Sequence, residues 1–197
     1  MAVRLDTEIR REQIISAALG LIGEKGLRNL RMPDIAQQVD LVPSALYRHF
    51  SGKQELVLAI VDSIRASLEK HLARSGEETP DPLERLEFIM DEHLKMIGGS
   101  PGMPLLVLSE DAAFGDPKMR RRVLEIHGFF RKAVADIMKE AIKTGRVGPD
   151  TDPGEAALVF VSLIQHTAVM TAISGGDVHL GPLAGKAWRK YVKDLVG

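Results

Sequence analysis

The chain has 197 residues, of which 45% are hydrophobic and 27% are charged, and its formal net charge is -1. This length suits one or two small domains with a buried core, and the near-zero charge gives no indication of a strongly basic, non-specific polyanion binder. The sequence contains no cysteine, which excludes disulfides and thiolate metal sites, and its first residues lack the apolar core of a signal peptide.

Helical periodicity dominates the N-terminal part of the chain. Apolar residues recur at helical spacing over residues 9–24, and Gly26 follows as a stop signal. A second helix is predicted over residues 33–39, a turn over 40–42 and a third helix over 43–49. Ser51 is expected to cap a fourth helix that ends near residue 74.

The remainder of the chain is also predicted to be helical. Residues 75–82 contain two prolines and are expected to form a linker. Further helices are predicted over residues 83–97, 104–110, 117–144, 155–173 and 182–196, and no strand alternation is present. The sequence therefore predicts an all-α fold, with an N-terminal three-helix domain over residues 1–54 and a larger helical domain over residues 55–197.

Residues 156–173 form an uncharged run that is close to membrane-spanning length. The run contains five polar side chains, which would be costly in hydrocarbon. We therefore expect a helix buried in the protein or in its dimer, and no membrane partner.

Residues 31–53, RMPDIAQQVDLVPSALYRHFSGK, have the pattern of a helix-turn-helix that reads DNA. Small residues at the start of the third helix (Pro43, Ser44 and Ala45) would let its backbone approach the base edges. Four polar or basic side chains that can bond phosphates follow at its far end and beyond, namely Tyr47, Arg48, His49 and Lys53. Each residue alone would be an ordinary core or surface residue, and it is their co-location behind a tight turn that indicates DNA binding.

This segment resembles the DNA-binding region of the tetracycline-repressor (TetR) family. The shared elements are Gly26, Ile35-Ala36, Leu46-Tyr47, His49-Phe50, Lys53 and Glu55-Leu56, and the resemblance covers about residues 9–60. It implies an all-helical cytoplasmic homodimer, a palindromic double-stranded DNA operator, and a small-molecule effector that releases the DNA. It also implies phosphate contacts by Tyr47, His49 and Lys53, and base contacts by Pro43, Ser44 and Ala45.

Several positions depart from the family pattern. Asp40 replaces the usual turn glycine, and aspartate is among the few residues that tolerate positive φ. Val42 stands where a serine usually caps the third helix, and Arg31 stands where a serine or threonine usually opens the second. Side-chain hydrogen bonding to bases is therefore expected to be sparse, with Arg31 and Arg48 as the only long donors able to reach DNA.

The last two predicted helices would supply the dimer interface through apolar residues that include Leu158, Val161 and Trp188, although each could equally belong to the core of one chain. An apolar effector pocket is expected among helices five to eight, and the same residues would also make an ordinary core. The candidate lining residues are Met90, His93, Leu94, Ile97, Met103, Leu106, Phe114, Phe129, Phe130, Phe160, Gln165 and His166.

Three other functional hypotheses stay open at this stage. The first is an interaction or sensing module that has lost sequence-specific DNA reading. The second is an enzyme, but no phosphate-binding glycine motif, nucleophile elbow or HExxH supports catalytic residues or a cofactor. The third is a metal site on Glu92-His93, His127 and His166, whose spacing does not favour one. The basic run KMRRR at residues 118–122 could contact DNA or an anionic partner, but it fits a solvated helix face better.

Overall fold

The structure is a computed structural model that describes residues 2–100, 102–110, 115–175, 177 and 180–196, with only the main chain described for residues 2–6. Within these residues it contains nine α-helices and no strand, which confirms the all-α prediction. The helices are α1 (Ala2–Lys25), α2 (Met32–Gln38), α3 (Pro43–Leu46), α4 (Lys53–Glu78), α5 (Pro82–Gly99), α6 (Gly102–Val107), α7 (Pro117–Lys143), α8 (Pro153–Ile173) and α9 (Gly181–Val196).

The chain divides into two compact units, and α4 and α7 each contribute residues to both. Of the described residues, those within 1–64 and 100–123 form the first unit, and those within 65–99 and 124–197 form the second. The predicted boundary at residue 54 separates a DNA-reading function from an effector function, and it stays a prediction.

The core of the first unit forms where α1 packs against α2 and α6 and α2 packs against α3. Its centre consists of fully buried aliphatic and aromatic side chains, among them Ile14, Ile22, Ile35, Leu46, Phe50 and Ile60. Gly102 lets α6 approach α1 closely, since a methyl group on Gly102 would clash with the main-chain oxygen of Leu19 and lie 2.9 Å from the nitrogen of Gly23.

The second unit is built on mutual packing of α5, α8 and α9. Asp152 caps α8 by accepting a hydrogen bond from the Glu155 amide at 2.8 Å, which satisfies one of the free N–H groups of the first turn. Trp188 and Phe160 are fully buried at the centre of the unit, with ring centroids 4.9 Å apart in an edge-to-face arrangement.

Helix boundaries differ from the sequence prediction mainly around α4. This helix continues through Ser75 and Gly76 to Glu78, where a linker was expected, so only residues 79–81 connect it to α5. Ser75 is buried, and its hydroxyl donates to the main-chain oxygen of Leu72 at 2.7 Å, so the polar side chain is satisfied inside the helix. Gly52, rather than Ser51, precedes the first residue of α4.

Within the described part of the chain, α8 alone is long and apolar enough to span a membrane by length and composition. Its buried residues Ala156, Ala157, Phe160 and Ile164 lie where α8 packs against α5 and α9. This arrangement is that of a core helix, as the sequence predicted.

Candidate nucleic-acid interface and effector site

The turn between α2 and α3 depends on one left-handed residue. Asp40 has φ 53°, and the amide of Leu41 then donates to the oxygen of Ala36 at 2.8 Å, which closes the end of α2. The prediction that an aspartate can occupy this position is confirmed, because its short polar side chain tolerates the left-handed region better than most residues.

The reading helix is a single α-helical turn that continues as tighter turns to Phe50. Val42 precedes it without a side-chain cap, and the amides of Tyr47 and His49 donate to the oxygens of Pro43 (3.1 Å) and Leu46 (2.9 Å). Pro43, Ser44, Tyr47 and Arg48 are exposed, whereas Ala45 is only 7% exposed. The methyl group of Ala45 therefore faces the core, so Pro43 and Ser44 are the side chains in this turn that can approach bases.

The predicted phosphate-binding side chains differ in how they are held. Tyr47 is 49% exposed. The Lys53 ammonium donates to the main-chain oxygens of Leu27 at 2.7 Å and Arg28 at 3.4 Å, so it is positioned just after the C-terminus of α1. His49 is half-buried, and its Nδ1 has no hydrogen-bond partner among the described residues.

The two arginines expected to reach DNA are not equivalent. Arg31 donates to Asp34 through Nε at 3.2 Å and through Nη2 at 3.1 Å, although its side chain is 76% exposed. Hydrogen bonds from Lys25 and then from Arg31 lower the pKa of Asp34, so this carboxylate stays ionised and holds both cations. Arg48 is exposed and makes no ion pair with any residue that the structure describes.

Arg11 is a further residue of this unit that sequence reasoning missed. Its guanidinium donates to the main-chain oxygen of His49, lies 4.0 Å from the centre of the Phe50 ring, and comes within 3.9 Å of Glu55. Glu55 in turn accepts from the amide (2.8 Å) and hydroxyl (2.7 Å) of Ser51. Because these partners lie about 40 positions from Arg11, only the fold reveals that it positions the end of the reading helix.

Three of the predicted effector residues lie together in the core of the second unit. The His93 ring is 5.0 Å from the Phe130 ring, and Phe130 is 6.2 Å from Phe160. Burial lowers the pKa of His93 to about 3, so its imidazole is neutral, and its Nδ1 has no partner in the described structure. Met90 is also buried in this unit.

Two other predicted residues, Leu94 and Ile97, line a cavity of about 450 Å³ between α5, α8 and α9. Its remaining lining residues are Asp91, Lys95, Gly98, Thr167, Thr171, Leu180, Gly181, Pro182, Gly185 and Arg189. This volume falls within the range of small-molecule sites.

The other predicted effector residues lie apart from this cavity. Phe129 lies against the Arg65 guanidinium at 4.3 Å, and Gln165 is exposed and bonded to His127 Nδ1 at 2.9 Å. His166 is exposed, and Met103 and Leu106 are buried in the first unit. Phe114 lies outside the described residues. The structure therefore does not gather the predicted residues into one pocket.

Residues 14–60 match the family model of the bacterial regulatory proteins of the tetR family. The nucleoid occlusion factor SlmA of Vibrio cholerae is 25% identical over 132 residues, which cover 66% of this chain and 67% of SlmA. A TetR transcriptional regulator from Chloroflexus aurantiacus has the same fold, with a TM-score of 0.79 at 18% identity over 96% of this chain and 97% of that chain. The regulator FadR from Bacillus subtilis, solved with stearoyl-CoA, has a TM-score of 0.74 at 19% identity over 92% and 97% of the two chains.

An all-helical chain with this N-terminal helix-turn-helix is a DNA-binding transcriptional regulator. Residues 14–60 carry the helix-turn-helix segment of the tetR family of bacterial regulators. Regulators of this family are non-enzymatic, bind DNA and small-molecule effectors, and function as dimers.

Proposed function

We propose that the protein is a cytoplasmic repressor that binds a palindromic operator as a homodimer and is released by a small, mostly apolar ligand. The observation that carries this proposal is the intact turn at Asp40, which presents Pro43, Ser44, Tyr47 and Arg48 on one exposed reading turn. A dimer would place two such turns in successive major grooves on one face of the DNA.

The reading chemistry would combine few base contacts with several phosphate contacts. Tyr47, His49 and the positioned ammonium of Lys53 would bond phosphates, which fixes register without reading sequence. Ser44 and Pro43 would contact base edges or thymine methyl groups. Arg48 is the long donor that no carboxylate in the described part of the chain holds. With so few donors, DNA shape would contribute to specificity.

The dimer would form through α8 and α9. Large apolar side chains are exposed on these helices, namely Leu158 (56%) and Ile173 (74%) on α8 and Leu183 (61%) on α9. Val161 and Trp188, which the sequence offered for the interface, are buried within one chain and stabilise the second unit instead. Burying the exposed side chains against a second copy would remove them from water.

Effector release would follow from differential affinity. In one domain arrangement of the dimer the two reading turns fit the operator, and in another they are misplaced. A ligand that binds the second arrangement more tightly than the first weakens DNA binding, and the difference between its two affinities sets the size of the effect. The apolar side chains of the second unit suit such a ligand, and the similarity in fold to FadR, which was solved with stearoyl-CoA, supports a largely apolar one.

The first experiment is binding of the purified protein to duplex DNA from upstream of its own gene, with a salt series and a scrambled competitor. Saturable binding that resists the competitor and weakens as salt rises is expected. Binding that the competitor removes completely, followed by a random-site selection that enriches no motif, would contradict specific reading and favour the sensing-module alternative.

Variants of the reading turn separate its two roles. Replacing Tyr47 and Lys53 with Ala is expected to weaken binding to all sequences similarly and to lower the salt slope by about 1 per lost phosphate contact. Ser44→Ala is expected instead to change the preference among operator variants. Unchanged DNA binding by the double variant would contradict the assignment of Tyr47 and Lys53 as phosphate contacts. The free energy of unfolding is measured as a control, because Lys53 also donates to the main chain just after α1.

A chromosomal role beyond one promoter is a second candidate, because SlmA, a nucleoid occlusion factor, is 25% identical over 132 residues. Mapping bound sites over the chromosome distinguishes the two candidates. Bound sites confined to promoters would support the repressor. Many bound sites dispersed over the chromosome and away from promoters would support the chromosomal role.

A further inference from the structure

We propose that the cavity between α5, α8 and α9 binds a small amphipathic anion, with its apolar body inside the cavity and its carboxylate on Arg189. The binding site itself is independent of the proposed function, whereas its role in DNA release depends on it.

The inner lining suits an apolar body. Leu94 and Ile97 come from α5, and Leu180 and Pro182 come from the start of α9 and the residue before it. Gly98, Gly181 and Gly185 contribute no side chains, which leaves the volume of about 450 Å³ open. The buried Thr171 hydroxyl makes no hydrogen bond to any described residue, so it offers one polar point in this wall.

The charges at the cavity leave one cation without a counter-ion. Lys95 donates to Glu92 at 2.9 Å, and Asp91 lies one helical turn before it and also favours its charged form. Arg189, in contrast, makes no ion pair within the described residues. A carboxylate on the ligand would supply the counter-ion for Arg189, since a guanidinium can bind both carboxylate oxygens at once.

The Arg189 head lies beside Gly185 at the wall of the cavity. A methyl group built on Gly185 would lie 3.5 Å from Nη1 of Arg189 and 3.9 Å from Nη2. The guanidinium therefore lies along α9 beside the glycine one turn earlier, and the Arg189 side chain stays exposed to solvent. This position puts the planar donor fork at the edge of the cavity, where it can reach the carboxylate of a bound ligand.

The cavity would stay accessible in a dimer that uses the exposed faces of α8 and α9. Thr167 follows Leu158 by nine residues, which is about two and a half helical turns, so the two side chains lie on opposite faces of α8. Gly185 follows Leu183 by two residues, which again places the two positions on roughly opposite faces of α9.

The test uses decanoate as the probe, with decanol as the uncharged and decylamine as the cationic control, and measures binding to the full chain by calorimetry. Decanoate is expected to bind most tightly of the three. Arg189→Gln is expected to weaken decanoate at least about tenfold while leaving decanol unchanged, because only the charged hydrogen bonds are lost. Arg131→Gln, which removes an exposed arginine of α7 outside the cavity, is the matched control and should bind as the wild type.

A second variant tests the cavity itself. Thr171→Leu adds volume to the wall of the cavity and is expected to weaken the binding of decanoate and of decanol alike. The helical circular dichroism of this variant and its DNA binding show whether it is folded. No decanoate binding by the wild type, or equal binding by the wild type and Arg189→Gln, would overturn the proposal. If decanoate binds but the affinity for DNA does not change, the binding site is confirmed and only its role in DNA release is contradicted.

Discussion

The guanidinium of Arg11 on α1 lies 4.0 Å from the centre of the Phe50 ring, just beyond the reading turn. The same side chain bonds the main-chain oxygen of His49, so one arginine ties the far end of that turn to α1. Precise placement of the reading turn thus depends on a side chain that is not expected to touch DNA.

Replacing Arg11 with Met should therefore weaken DNA binding and lower the free energy of unfolding by about 1–3 kcal/mol, since a charged hydrogen bond and a cation–π contact are lost. Urea unfolding and operator titration measure the two effects. Arg10→Met is the matched control, and equal behaviour of the two variants would show that Arg11 positions nothing.

Asp40 should be replaceable only by residues that tolerate positive φ. Asp40→Gly and Asp40→Asn are expected to keep stability and DNA binding, whereas Asp40→Val should destabilise the protein by about 1–3 kcal/mol because φ is 53° here. Urea unfolding checks this order. Gln37→Ala, at an exposed position of α2, serves as the control. An Asp40→Val variant as stable as the wild type would contradict the requirement for a residue that tolerates positive φ at this position.

Gly102 should not accept a side chain. Gly102→Ala would drive its methyl group into the main chain of α1 at Leu19, and main-chain atoms cannot move aside as a flexible side chain can. We expect a loss of about 1–3 kcal/mol or more in the free energy of unfolding. Gly76→Ala in α4 meets no neighbour and should stabilise by about 0.5–1 kcal/mol. If both variants behaved alike, α6 would not approach α1 this closely.

His93 should make the protein less stable in mild acid. Burial lowers its folded-state pKa from 6.5 to about 3, so between these values the unfolded chain binds a proton that the folded chain does not. Stability should therefore fall as the pH falls below 6.5, by up to about 1.4 kcal/mol per pH unit for this group. The lowered pKa values of His71 and His127, also caused by burial, act in the same direction.

Urea unfolding from pH 7.5 to 5 measures this slope, and His93→Leu should reduce it. His166→Leu, which removes an exposed histidine of α8, is the control variant. An unchanged slope in His93→Leu would mean that the imidazole is protonated in the folded state.

Much of the first unit could be predicted from local patterns. Helical spacing, Gly26 as a stop and the Ile35-Ala36 and Leu46-Tyr47 pairs indicated the helices and the turn, and Asp40 was correctly expected to adopt positive φ. Boundaries were less secure at Ser75, because a polar residue that normally marks a linker is satisfied within α4 by its own helix. The effector residues were the least predictable, since Phe and Met at helical spacing look the same whether they fill a core or line a pocket.

Local patterns in the chain were enough to indicate an all-helical DNA-binding regulator, because helix periodicity, stop signals and turn residues act over a few positions. Contacts between distant segments decided the rest. They turned Ala45 inward, tied Arg11 to the end of the reading turn, buried Val161 and Trp188 in one chain, and opened a cavity beside Arg189. These features depend on which helix faces pack together, and the spacing of residues along one helix does not contain that information.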